Sequence, residues 1–118
     1  MEFSDNKPIY RQIVDHAYNQ ILSGGWEPGE RVPSVRELSA DLGVNTRTVM
    51  KAMDDLSADG VIQARRGMGY SLAEDARERV HQALRTEFFN TTLPQFMAEI
   101  ERLEIPLEEI LEKIKERR

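Results

Sequence analysis

The chain contains no cysteine, so disulfides and thiolate-bound metals are excluded, and nothing in the composition points to an oxidising compartment. The two histidines, His16 and His81, stand isolated. Asp15 lies beside His16, but no nucleophile is spaced to complete a relay, so a surface histidine is expected and neither cofactor nor metal is. No apolar run approaches the length of a membrane span, and Met1-Glu2-Phe3-Ser4-Asp5 lacks the basic-then-apolar order of a signal peptide. A cytoplasmic protein without a membrane partner is therefore expected. Positive charge is short as well, since 16 Lys and Arg face 21 Asp and Glu for a formal net charge of −5. Length is limited too. At 118 residues, 40% of them hydrophobic, the chain suits one compact core with an appendage and leaves no room for a separate ligand-binding domain.

Within these limits residues 34–69, SVRELSADLGVNTRTVMKAMDDLSADGVIQARRGMG, organise the chain. Ser34 and Glu37 make the S-x-x-E capping box, in which each side chain bonds the other residue's free backbone N–H at a helix start. Val35, Leu38 and Leu42 recur at helical spacing, and Gly43 stands where a helix C-terminus wants a positive φ. Val44 plugs the corner. Asn45 is an N-cap for a second helix, in which Val49, Ala52, Met53 and Leu56 fall at i, i+3, i+4 and i+7 and fix the buried face. Thr46, Arg47, Thr48 and Lys51 are left pointing outward, with Arg47 and Lys51 four apart on one face. Two helices at a short glycine-containing turn form the helix-turn-helix pattern, whose second helix lies in the DNA major groove. After Asp59-Gly60, the runs 61–65 and 70–72 flank Arg66-Gly67-Met68-Gly69 and predict a hairpin wing, with Arg65 and Arg66 supplying charge beside two turn glycines.

The negative total is awkward for a DNA-binding protein, because neutralising phosphates normally takes a basic footprint. Distribution decides: Asp54, Asp55 and Asp59 lie toward the far end of the second helix, where they are expected to point away from the duplex, and Lys51 has Asp55 within reach at i+4. A monomer is accordingly expected to bind weakly and operator binding to depend on two copies.

Upstream, Lys7-Pro8 opens a scaffold helix with Tyr10, Ile13, Val14, Ala17, Tyr18 and Ile21 as its buried stripe. Gly24-Gly25 ends it. Trp26-Glu27-Pro28-Gly29 then makes a turn with Pro and Gly where a type II turn wants them, and Arg31-Val32 is placed to pair with the wing before Pro33 stops it. Tyr18 and Trp26 read as core and rim aromatics, since no second basic-aromatic surface accompanies them. Downstream, Asp75 is a cap for a helix carrying Val80, Ala83, Leu84 and Phe88, and Asn90-Thr91-Thr92 offers a new N-cap before Pro94. Leu93, Phe96, Ile100, Leu103, Leu107, Ile110 and Ile114 follow at spacings of about 3 and 4, a heptad pattern. Pro106 breaks the rod, at a cost of about 3 kcal/mol for a helix interior, into helices over 93–103 and 106–116 joined by a tight corner. Their apolar face, with Phe88, Phe89, Phe96, Met97, Ile100 and Leu103, is expected to be a dimer interface with a second copy of the chain, the alternative being a tail folded back on the winged-helix core.

Residues 8–13 (PIYRQI), 21–24 (ILSG), 28–38 (PGERVPSVREL), Val44-Asn45, Thr48-Val49 and the glycine wing resemble the N-terminal domain of GntR-family bacterial transcription regulators over residues 7–73. The tail, with Leu103-Glu104-Ile105-Pro106-Leu107-Glu108-Glu109-Ile110 at its corner, resembles the YtrA-like subfamily, whose C-terminal helices serve dimerisation. That resemblance implies operator contacts by Arg36, Thr46, Arg47, Thr48 and Lys51, with Gly67 and Gly69 shaping the wing. The chain departs from the family at Thr46, where many relatives carry Pro, and at Met68, where a basic wing-tip residue is common.

The expected fold is mainly α with a small β wing: a winged helix-turn-helix domain over 1–74 and a short C-terminal helical dimerisation region over 75–118. The expected function is a non-enzymatic, homodimeric DNA-binding regulator, a repressor, reading a pseudo-palindromic operator through its recognition helix (46–58) and wing (61–72). Its partner is double-stranded DNA, and its contact set is Arg36, Asn45, Thr46, Arg47, Thr48, Lys51, Arg65, Arg66, Gly67 and Gly69. Arg47 is assigned to a base, because a guanidinium bonds guanine O6 and N7 together; Arg36, Lys51, Arg65 and Arg66 are assigned to phosphates, and Thr46 and Thr48 to either. A small-molecule effector is expected, if there is one, either between the tail and the winged helix or at the dimer seam near Phe89 and Phe96, although no set of polar groups marks a pocket. Two other classes compete: a winged helix serving as a protein-interaction module with an acidic binding face, and a nuclease or hydrolase built on Asp54, Asp55 and Asp59. The second fails on geometry, because carboxylates at i, i+1 and i+5 do not converge on one helix face.

Overall fold

The computed structural model describes Phe3 and residues 7–118; of the N-terminal stretch read for a leader, only Phe3 lies among the described residues. Two compact units divide the chain, Met1–Ala83 and Leu84–Arg118.

In the first unit α1 (Ile9–Ser23), α2 (Val35–Leu42), α3 (Thr46–Ala58), β1 (Ile62–Arg65) and β2 (Gly69–Leu72) lead into α4 (Ala76–Glu87). The stripe expected on α1 buries Ile13, Val14, Ala17, Tyr18 and Ile21, joined by Gln12, while Tyr10 is only half-buried. Facing it, α3 buries Val49, Ala52, Met53 and Leu56, and α2 adds Leu38; Val35 and Leu42 are half-covered. Residues two turns apart on facing helices thus close one core, which Val61, Ile62 and Leu72 of the wing base extend. The wing strands pair antiparallel from Ile62 opposite Leu72 to Arg65 opposite Gly69. Arg31 forms a single bridge to Ser71, and the Val32 N–H donates to the Tyr70 carbonyl at 3.0 Å, so the segment before Pro33 does join the wing, as one bridge and not as a full strand.

Helix ends are closed by specific groups. Both halves of the capping box form: the Glu37 N–H donates to Ser34 Oγ at 3.0 Å and the Ser34 N–H to Glu37 Oε1 at 3.3 Å. Gly43 takes φ 67° at the corner, and Asn45 Oδ1 accepts the Arg47 N–H at 2.8 Å. Two arginines of α4 then serve other helices' carbonyls, as cations favour helix C-termini: Arg77 Nη1 donates to Leu22 O at 2.8 Å, and Arg79 Nη1 to Asp59 O at 3.3 Å. Arg79 Nε is held by both carboxylate oxygens of Asp75 at 3.0 Å, so the carboxylate expected to cap α4 is spent on a side chain one turn along. Gly60 is favoured at its position twice over: its φ is 73°, and an added Cβ would lie 2.6 Å from Arg79 Nη1, the end of a side chain that would have to move.

The second unit holds a π-helical turn (Phe88–Thr92), α5 (Leu93–Arg102) and α6 (Leu107–Glu116). Here the structure corrects the sequence reading. Asn90, Thr91 and Thr92 do not start a new helix with a side-chain cap; Thr92 is helical (φ −65°, ψ −48°) and the Leu93 N–H reaches back five residues to Phe88 O. The cause is Pro94, which has no N–H and whose ring clashes with the carbonyl four residues before it, so one wider turn absorbs it without ending the helix.

The corner at Pro106 is as tight as expected. The Glu104 N–H donates to Glu101 O and the Ile105 N–H to Ile100 O, both at 3.1 Å, closing α5 with a Schellman pair. Glu104 sits at φ 56° in the position that favours glycine. Glu104→Gly is expected to stabilise the fold by about 0.5–1 kcal/mol, the left-handed strain relieved less the extra freedom glycine has when unfolded; a raised urea midpoint checks it, and Glu104→Val should lower that midpoint.

Candidate nucleic-acid interface

The inward half of α3 is sealed, with Val49, Ala52 and Met53 at 0% exposure and Leu56 at 1%. Everything the helix offers a partner lies on the opposite face. Thr46, Arg47, Met50, Lys51 and Asp54 are exposed there, while Thr48 is half-buried. Among the described residues no side chain pairs with Arg36, Arg47 or Arg66, which leaves three guanidiniums free to take phosphates or base edges. Arg36 stands on the first turn of α2 and Arg66 at the wing tip.

Lys51 is placed differently. Its ammonium lies 4.5 Å over the Tyr10 ring on α1, while Asp55 turns to Arg11 at 3.8 Å, so the i+4 pair within α3 gives way to two cross-helix contacts. The expectation that all three acids face away is corrected for Asp54: it is exposed, and seven residues after Arg47 it shares the outward face, since two helical turns bring the same side round. Asp55 is half-buried and Asp59 closes the C-terminus of α3.

In the wing, a turn from Arg65 to Met68 is closed by the Met68 N–H on Arg65 O at 2.9 Å, with Gly67 at φ 77°. Open space surrounds Gly67 and Gly69, both at φ 77°, so their requirement is backbone conformation and not crowding within the chain. Arg65 is folded back, its Nε donating to Ser71 Oγ at 3.0 Å. It lines, with Gly29, Arg31, Met68, Tyr70 and Ser71, a groove of about 220 Å³. Arg31 and Met50 are the residues that sequence reasoning passed over. The bridge to the wing is the signal for Arg31; Met50 stands three after Arg47 on the same face, but only its exposure marks it.

Arg31 also ties the groove to α2, its Nη2 lying 2.8 Å from Glu37 Oε1. That guanidinium bond, followed by the backbone and hydroxyl bonds of Ser34, lowers the Glu37 carboxyl from its ordinary value of 4.5. A depressed folded value means stability that is complete above the ordinary value and is lost as pH falls through the folded one. Melting followed by circular dichroism from about pH 6 to about pH 3 is expected to show that loss, and Glu37→Gln to flatten its share of the slope.

A short-cornered helix pair, an outward face of α3 bearing a free guanidinium at Arg47, and a glycine-turned hairpin define a winged helix-turn-helix of the DNA-binding kind. Residues 9–71 match the family described as bacterial regulatory proteins, gntR family. The chain is 34% identical over 109 residues to the HTH-type transcriptional repressor YtrA of Bacillus subtilis, covering 92% of this chain and 83% of that one. It superimposes on a GntR family transcriptional regulator from Listeria monocytogenes with a TM-score of 0.76 and 36% identity, covering 97% of this chain and 98% of the other. The DNA-binding domain of AraR in complex with its operator ORR3 aligns over 62% of this chain and 88% of that one, at TM-score 0.56 and 27% identity. The protein belongs to the GntR family and resembles its YtrA-like members along nearly the whole chain; it is a DNA-binding transcription regulator and not an enzyme.

Proposed function

We propose that the protein is a cytoplasmic repressor that binds a pseudo-palindromic operator as a homodimer, with its two α3 helices in successive major grooves. The observation that carries this reading is the state of the second unit: none of residues 84–118 is buried, yet Phe88, Phe89, Phe96, Met97, Leu103, Leu107, Leu111 and Ile114 are exposed large apolar side chains. A helical unit with so much apolar surface and no core calls for a partner, and a second copy is the commonest one. The interface so proposed extends beyond the six residues singled out from sequence to Leu107, Leu111 and Ile114 on α6.

Arg47 reads a base; Arg36 and Arg66 hold phosphates, with Lys51 and Arg65 joining them on leaving Tyr10 and Ser71; Thr46 and Thr48 complete the first turn, with Asn45 fixing where that turn begins. About three phosphates per protomer gives a slope of log affinity on log salt near −5 for the dimer. Repression is favoured by the likeness to YtrA, a transcriptional repressor, and a small effector at the dimer seam would act by changing the distance between the two α3 helices. Titration against the upstream intergenic DNA and a scrambled duplex at two salt concentrations tests the reading. Salt-sensitive preference for the first, at two protomers per site, supports it; equal weak binding to both overturns it and favours the protein-interaction reading.

A further inference from the structure

α3 carries two methionines that do opposite things. Met53 is 0% exposed and belongs to the core; Met50, one turn after Arg47 and one turn before Asp54, is 52% exposed. It packs no core, and every neighbour on its face is polar. Its neighbour Lys51 is drawn aside over Tyr10, which leaves Met50 at the middle of the outward face.

We propose that Met50 is a specificity-determining residue that reads the 5-methyl group of a thymine in each half-site; the proposal rests on the operator-binding reading above. The base edges in the major groove offer hydrogen-bond donors, acceptors and one apolar group, the thymine methyl. A thioether has no donor and only a weak acceptor, so laid against guanine, adenine or cytosine it would displace water without replacing its hydrogen bonds. Against a methyl it loses nothing, and its flexible, polarisable chain follows the shape of what it meets. Three residues along α3 is about 4.5 Å of rise, so the methyl belongs to a base pair next to the one that Arg47 reads.

The test uses the full chain and a duplex that the wild-type protein selects from a random-sequence pool, with each thymine replaced in turn, symmetrically in both half-sites, by deoxyuridine, which lacks only the methyl. Wild type is expected to lose about fourfold per half-site, on the order of tenfold for the pair, at one thymine position close to the Arg47 base. Met50→Ala is expected to bind the thymine and uracil duplexes equally there, and Met50→Leu to keep most of the preference; an unchanged helical spectrum shows that both variants fold. Wild-type binding indifferent to uracil at every position, or a full thymine preference kept by Met50→Ala, overturns the proposal while leaving operator binding intact. Failure to select any sequence overturns both.

Discussion

A protein carrying Phe96→Glu and Leu111→Glu together is expected to be monomeric at micromolar concentration and to bind its operator at least a hundredfold more weakly than wild type. Each of these side chains is close to half-exposed in one copy (45% and 44%), and covering the exposed half in an interface brings about 0.7–1.5 kcal/mol. Two positions in two protomers therefore represent about 3–6 kcal/mol, against about 8 kcal/mol for an entire micromolar dimer. Burying four carboxylates in the same surface adds a further penalty. The effect on DNA follows from linkage: two recognition helices on one body share an effective concentration that gains a factor of about 10²–10⁴, and separate monomers forfeit it. Sedimentation velocity checks the first effect and an operator titration the second. The winged helix should be unaffected, because the core of α1, α2, α3 and the wing base draws no buried residue from 84–118. A double variant that stays dimeric would place the interface elsewhere.

Arg47→Ala is the second large effect. A bidentate guanidinium contact is worth about 1–3 kcal/mol of base discrimination, and a two-fold site counts it twice, so operator affinity is expected to fall at least about thirtyfold while binding to a scrambled duplex changes little. Arg66→Ala makes the control. Assigned to a phosphate at the wing tip, it should weaken both duplexes alike and make the salt slope shallower by about 2 for a dimer, one released counterion per protomer. Uniform loss in both variants would remove Arg47 from base reading.

What was legible in the sequence was local. Ser34 with Glu37, Gly43, Asn45, Pro28-Gly29 and the wing glycines act on backbone within four residues of themselves, and each does in the structure what its chemistry demands. Pairings between distant segments were not legible. Lys51 looked like a partner for Asp55 one turn away, but α1 brings Tyr10 and Arg11 alongside and divides the pair between them. Asn90-Thr91-Thr92 had the composition of a helix start; Pro94 could be accommodated by a π turn just as well, and composition does not distinguish the two. Asp54, Asp55 and Asp59 share the far end of α3, but residues on a helix turn about 100° each, so only Asp55 turns to α1 while Asp54 faces outward. Met50 carries no charge or donor to mark it; what marks it is exposure, which only packing reveals.

The most direct test of dimeric operator recognition is a hydroxyl-radical footprint on the selected duplex, with the mass of the complex measured on the same sample. Two protomers per duplex and two protected patches centred about 10 base pairs apart, one helical turn, are the expected result. A single protected patch with one protomer bound would contradict it.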